Sequence, residues 1–301
     1  MNTYPYPDRW LLASLFQKSI RRGLKSRAST CNTNLTDIVQ GYVKRRLGVV
    51  GLEDVSIANP HAVAAYFTYF DIPTAINAFC SGPKNRDACD LCWIVDREPQ
   101  AEALRFDLGW LPLPAKQAKV ARATLPLWER LLVLRSMAHA DAVITLADLG
   151  LPPEQVEVLR KAKRMGLENL ELAYGLLWLE ARGQTCEVEV VELLPAPLIQ
   201  GIPAWAYDMH TRIGKEAIRK WRGSIPPLMK ITLPQVHGLL FTVETGVLDR
   251  IARFSFSRAI EWRAIEVSLP EGQAHELIAI ARDALPKLHQ IREDVVNGYL
   301  R

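Results

Sequence analysis

The sequence predicts a mainly α-helical protein, a bundle-like array of many helices with a few short strands in its C-terminal half. Three observations carry this expectation. Apolar residues recur at helical spacing through most of the chain. Prolines stand where helices start, as in Asn59-Pro60, Ile72-Pro73 and Pro152-Pro153, and Ser81-Gly82-Pro83 is a plain stop signal. The alternation that marks a half-exposed strand is clear only at Thr185–Leu193, TCEVEVVEL.

Along the chain, Asp8–Arg22 forms the opening helix, with Leu11, Leu12, Leu15, Phe16 and Ile20 on one face. The polar stretch Lys25–Thr36 is expected to be a loop. Helices follow over Asp37–Gly51, Pro60–Phe70, from Pro73 to Ser81 and over Asn85–Arg97. Trp110–Pro114, WLPLP, is an extended joint that divides a basic helical domain, 1–110, from a helical domain with minor strand content, 111–301. Thr124–Leu146 makes one helix with Leu127, Leu131, Leu134 and Met137-Ala138 on its apolar face. Further helices run from Pro153 to Arg164 and over Asn169–Arg182, the latter apolar enough to be buried. After the prolines at 195, 197 and 203, a helix starts near Asp208. Val236–Thr242 and Arg263–Leu269 are expected as short strands, and Gln273–Tyr299 as a final helix kinked at Pro286.

Composition bounds the function. Among 301 residues, 49% are hydrophobic and 23% charged, ordinary values for a globular chain. No run approaches the roughly 18 apolar residues of a membrane span. The N-terminus lacks a basic segment followed by an apolar one, so no secretory leader is expected. Five cysteines, an odd number, suit a reducing cytoplasm better than a disulfide framework. The net charge is +4, yet residues 1–50 alone hold nine lysines and arginines against Asp8 and Asp37, a surplus of seven. That asymmetry points to a polyanion facing the N-terminal region.

Two basic stripes make this specific. Lys18, Arg21, Arg22 and Lys25 share one side of the first helix if it runs on through Gly23, and Lys44, Arg45 and Arg46 follow closely. Arg212, Lys215, Arg219 and Arg222 share one face of a later helix, opposite Ala217, Ile218 and Trp221. Such helices dock by their apolar side and present cations to phosphate, and binding of that kind weakens with salt. The bland alternative is a solvated charged face. Asp208 or Thr211 suits the cap of the second helix, and Glu216 with Lys220 is a supporting i,i+4 pair. Asp208-Met209-His210 has no third ligand at a recognisable spacing, so it is read as a capped helix start. Cys89 and Cys92 lack a second pair for zinc and are read as core thiols, with Cys80 nearby. Glu53 and Asp54 are expected to neutralise and orient the neighbouring arginines rather than bind magnesium. No metal or cofactor is expected, and the absence of a G-x-x-x-x-G-K-[ST] loop argues against ATP hydrolysis by the chain alone.

LFQKSIRRG followed by YVKRRLGVVGLEDVSIANPHAV resembles the C-terminal region of the MgsA-type replication-associated AAA+ ATPases. Lys18, Ser19, Arg21, Arg45, Arg46, Glu53, Asp54, Val55, Ala58, Asn59 and Pro60 match that family's order, across residues 9–90. The ATPase module has no counterpart here, Ser56 replaces the usual glycine, and Lys25–Gly41 departs from the family's tryptophan-bearing helix. The resemblance implies a helical collar that oligomerises beside DNA in replication or repair. The expected function is therefore non-catalytic DNA backbone binding, with Lys18, Arg21, Arg22, Lys25, Lys44, Arg45, Arg46, Arg212, Lys215 and Arg219 as contacts. The rivals are an adaptor for an AAA+ ATPase or replisome protein, using Trp10 and the WLPLP joint, and a metal-dependent nuclease using Glu53, Asp54, Asp208 and His210.

Overall fold

The first helix, α1 (Arg9–Arg21), begins at Asp8, whose carboxylate accepts the Trp10 N–H at 2.9 Å. It ends where Gly23 adopts φ +65°, a left-handed conformation that glycine takes without strain. In the computed structural model, residues 8–38, 41–193 and 195–299 are described.

The chain continues through α2 (Lys25–Ile38), α3 (Tyr42–Val50), α4 (Pro60–Tyr69), α5 (Ile72–Ser81), α6 (Asp87–Arg97), α7 (Ala101–Trp110) and α8 (Leu113–Ala121). Then come α9 (Leu127–Arg135), α10 (His139–Asp148), α11 (Pro153–Arg164), α12 (Leu170–Ala181), β1 (Glu187–Val190), β2 (Leu198–Ile199) and β3 (Ile202–Pro203). The remainder is α13 (Arg212–Gly223), α14 (Pro226–Met229), α15 (Leu233–Leu240), β4 (Arg250–Arg253), α16 (Ser257–Glu266), α17 (Ala274–Asp283) and α18 (Leu285–Tyr299). About 70% of the chain is helical, and among the described residues the strands make only two antiparallel pairs, β1 with β4 and β2 with β3. The fold is mainly α, as the sequence predicts. Among the described residues no helix is long and apolar enough to cross a membrane.

Three expectations are corrected. The stretch 25–36 is a helix, not a loop. Ala28, Cys31 and Leu35 bury a stripe against α1, while the hydroxyls of Thr30, Thr33 and Thr36 donate to carbonyls four residues back. Polar composition concealed a narrow apolar face. Thr124–Leu146 holds two helices, because Ser136 closes α9 by folding its hydroxyl onto the Val133 carbonyl at 2.7 Å. The segments expected as strands at 236–242 and 263–269 are largely helical. Thr232 and Gln235 form a reciprocal cap that starts α15, and Val236, Leu239 and Leu240 are buried at i, i+3 and i+4. α16 runs through Glu266.

The chain divides into two units, and neither is bounded at Trp110–Pro114. One comprises residues 1–46, 191–249 and 268–301, the other 47–190 and 250–267. In the second unit α6 packs on α9, α12 and α16, and α11 on α4 and α12. Tyr66, Phe67, Phe70 and Phe79 meet edge to face there at centroid distances of 5.4–6.4 Å. β1 pairs with β4 in the register Glu187 to Arg253 through Val190 to Arg250. All four β1 residues are exposed, Val188 and Val190 included, so this strand is less buried than its alternation suggests.

In the first unit α1 is buried almost all round, and α13 packs on α18. Trp221, fully buried, donates its indole N–H to the Ala284 carbonyl at 3.0 Å. Arg292 of α18, also fully buried, grips the Glu244 carboxylate with two bonds of 2.7 and 2.8 Å, and His289 adds a third at 2.8 Å. Burial alone would raise the Glu244 pKa, but Arg292 and His289 hold it well below the carboxylate range.

Candidate nucleic-acid interface

The first basic stripe does not face solvent. The helix ends before Lys25, which is exposed on α2, so the four cations do not form one face. Lys18 is only 2% exposed; its ammonium donates to Ser14 Oγ at 2.6 Å and to Asp208 Oδ2. Ser14 donates in turn to Asp208 and to the Ala206 carbonyl. Burial pushes the Asp208 carboxyl up, but Lys18 and His210 overcome it and hold the group down to about 2. Burial also brings Lys18 down to about 8. Arg21 donates to the Thr245 carbonyl at 2.9 Å and lies over the Phe241 ring. Arg22 donates to the Glu244 carbonyl at 2.5 Å and lies 4.4 Å from the Trp205 ring centre, and burial lowers its pKa to about 10. Lys18, Arg21 and Arg22 therefore tie α1 to the segments 204–208 and 241–245. They are internal supports rather than outward contacts, which corrects the expected orientation.

Lys44 and Arg45 are exposed on α3, whereas Arg46 is half-buried and donates to Gln17 Oε1 at 3.1 Å and Tyr42 Oη at 3.0 Å. Glu53 and Asp54 occupy a π-helical turn, Gly51–Val55, in the second unit. Asp54 is fully buried and its backbone carbonyl accepts the Asn85 N–H at 2.9 Å, while the half-buried Glu53 acts on the Cys89 thiol.

Three of the four cations of the second stripe are placed as their spacing predicts, and Arg222 is not. Thr211 caps α13 by accepting the Gly214 N–H, and Ala217, Ile218 and Trp221 are buried. Arg212, Lys215 and Arg219 are exposed. Arg212 lies over the Tyr299 ring, and Glu216 holds Lys220 at 2.8 Å and accepts the Tyr299 hydroxyl. Arg222 turns away to close the helix end, donating to the carbonyls of Ile231 and Met229. Gly214 sets the helix against the preceding turn, since a Cβ there would stand 1.9 Å from the Asp208 carbonyl oxygen.

Two histidines near this stripe escaped the sequence reading as interface residues. The His210 N–H donates to Asp208 Oδ1 at 2.8 Å. Burial, and then Lys18, Arg46 and Lys215 working against Asp208, hold its imidazole below the ordinary value. His237 of α15 is lowered by burial and by His210, Lys215 and Arg219, again against Asp208. Its Nε2 is buried without a hydrogen-bond partner. Arg46 from α3 and Lys215 from α13 thus act on one imidazole. No local sequence signal marks His237, which is brought here only by the packing of α15 on α13.

The remaining chemistry is quiet. Cys80 is buried, whereas Cys89 and Cys92 are half-buried, and desolvation raises the Cys89 thiol pKa and takes that of Cys92 to about 12. Among the described residues, no group of three or more His, Cys, Asp and Glu is placed to hold a metal ion. No family model, curated protein or solved structure matches the chain.

Proposed function

We propose that the first unit binds the phosphate backbone of DNA without catalysing a reaction on it, through Arg212, Lys215 and Arg219 of α13 and Lys44, Arg45 and Arg46 of α3. The observation that carries this reading is α13 itself, which buries Ala217, Ile218 and Trp221 and leaves Arg212, Lys215 and Arg219 exposed on its other side. Asp208, just before α13, is paired with Lys18, and Glu216 on α13 with Lys220. Such a surface engages phosphates by charge and carries little base readout. The resemblance of residues 9–90 to the helical region of replication-associated AAA+ ATPases supports a place in replication or repair, and self-association as an oligomer. Fluorescence anisotropy of a labelled oligonucleotide against salt tests the binding. Six phosphate contacts, one per named cation, give a log–log slope of about −4 to −5. Arg219→Ala is expected to flatten the slope by about one. Affinity that does not change with salt overturns the reading.

A second reading is an adaptor for an AAA+ ATPase or replisome protein. Phe106 and Trp110 on α7 favour it, being 71% and 79% exposed and packed edge to face at 6.3 Å. Single aromatic residues at a surface are common, but an ordered exposed pair is a typical anchor for a protein partner. Titrating a purified replication ATPase into the protein, with Trp110→Ser as control, distinguishes this reading through a binding signal that the variant lacks.

A further inference from the structure

In the second unit β1 is the outer strand of its pair, and the hydrogen bonds of β4 fix which β1 groups face outward. On its far side β4 meets the segment at Lys84. The Lys84 N–H donates to the Arg250 carbonyl at 2.9 Å, and the Ala252 N–H donates to the Lys84 carbonyl at 2.8 Å. Successive residues of a strand turn their backbone groups to opposite edges, so Arg250 and Ala252 face Lys84 while Ile251 and Arg253 face β1. The register sets Ile251 opposite Glu189 and Arg253 opposite Glu187. Glu187 and Glu189 therefore make the ladder, and Val188 and Val190 turn their N–H and C=O groups to the outer edge. Among the described residues no strand pairs with that edge. The two valines share one face and are 46% and 77% exposed. The two glutamates share the other. Arg253 holds Glu189 at 2.6 Å, whereas Glu187 is exposed and has no ion-pair partner among the described residues.

We propose that the outer edge of β1 binds an extended peptide segment of a partner protein by strand addition, with apolar residues beside Val188 and Val190 alternating with lysine or arginine beside Glu187 and Glu189. An unpaired edge is a template for another chain: backbone bonds supply affinity and the alternating side chains supply specificity. The N–H and C=O groups of Val188 and Val190 pair with two alternate residues of the peptide, and the exposed valine methyl groups are covered by its apolar side chains. Charge selects the occupant. A second copy of β1, paired antiparallel with Val188 against Val190, would set Glu189 directly opposite its own counterpart, and like charges so placed destabilise a strand pair. A basic residue in the same place is attracted instead. Because Glu189 already has Arg253, Glu187 carries most of this selection. The edge takes no part in the DNA or adaptor readings.

The test titrates the full chain with a capped peptide of alternating valine and lysine, following heat by calorimetry and amide hydrogen exchange by NMR. A peptide of alternating valine and glutamate, and one with the same valines and lysines in separate blocks, are the comparisons. The lysine peptide is expected to bind about tenfold more tightly than either, and at saturation to slow exchange of the Val188 and Val190 amides about tenfold. Val190→Pro removes one outward N–H and leaves the β4 ladder intact, and should weaken binding about tenfold. Glu187→Lys should weaken it about threefold. Where Val190→Pro fails to fold by circular dichroism, amide exchange in the parent protein decides. Absence of binding, equal binding of the lysine and glutamate peptides, or unchanged exchange at Val188 and Val190 with peptide bound overturns the proposal. Slower exchange there that grows with protein concentration and needs no peptide assigns the edge to a second copy, and also overturns it.

Discussion

Replacing Lys18 by methionine separates a structural role for the first stripe from a phosphate contact. Methionine keeps an unbranched apolar stem but leaves Asp208, 6% exposed, without its ammonium partner. The lost coupling can be gauged from Asp208. Its pKa, about 2 against 3.8, means that ionisation there supports the folded state, by about 2 kcal/mol at one pH unit per 1.36 kcal/mol. That support is complete above the unfolded carboxylate pKa and fades as pH falls towards 2. Stranding the buried carboxylate adds desolvation, so the expected loss is about 3–5 kcal/mol at pH 7. Urea denaturation followed by circular dichroism measures it. The double variant Lys18→Met/Asp208→Asn, which removes both charges, should recover most of the loss. DNA affinity of the folded double variant, which removes both charges together, should be unchanged. A loss below about 1 kcal/mol, accompanied by a salt slope flatter by one phosphate, would refute the structural assignment.

Two further tests concern other parts of the fold. Burial raises Glu171 of α12 to about 7, and His139 Nε2 lies 3.3 Å from its carboxylate. The folded state therefore retains a proton that the unfolded chain releases near pH 4.5, and this group's contribution to stability is present below that pH and lost as pH rises through 7. Glu171→Gln should remove this loss, about 3 kcal/mol between pH 4.5 and 8; parallel pH profiles for the two proteins in denaturant titrations would sink the idea. Gly214→Ala forces a methyl group into the Asp208 carbonyl and its carbon, at 1.9 and 2.5 Å. It should cost roughly 3 kcal/mol or more, because backbone rather than a flexible side chain must give way. A melting temperature within a degree or two of the parent would show that the turn at 208–211 accommodates it.

How far the sequence spoke depends on the kind of signal. Helix starts at Asn59-Pro60, Asp71-Ile72-Pro73 and Pro152-Pro153 were legible because caps and prolines act within a few residues. The α13 stripe was also legible, since the apolar side that docks it, Ala217, Ile218 and Trp221, lies on the same helix as the cations. By contrast, α2 was hidden because its buried stripe is only three residues wide, and α15 because eight residues are too few to separate two periodicities.

The sequence by itself determined that the protein is mainly helical, where most helices begin, and that α13 carries its cations opposite its apolar face. All of these follow from local periodicity and capping. Only the tertiary structure decided which charges meet water. Lys18, Arg21 and Arg22 find their partners at Asp208, Thr245 and Glu244, about two hundred residues away in the chain. Helical spacing relates cations to one another, but whether a cation is paired inside or free outside depends on what another segment brings against it. His237 joins Lys215 and Arg219 for the same reason: the electrostatics of a site depend on distances in space, and a single sequence records only distances along the chain.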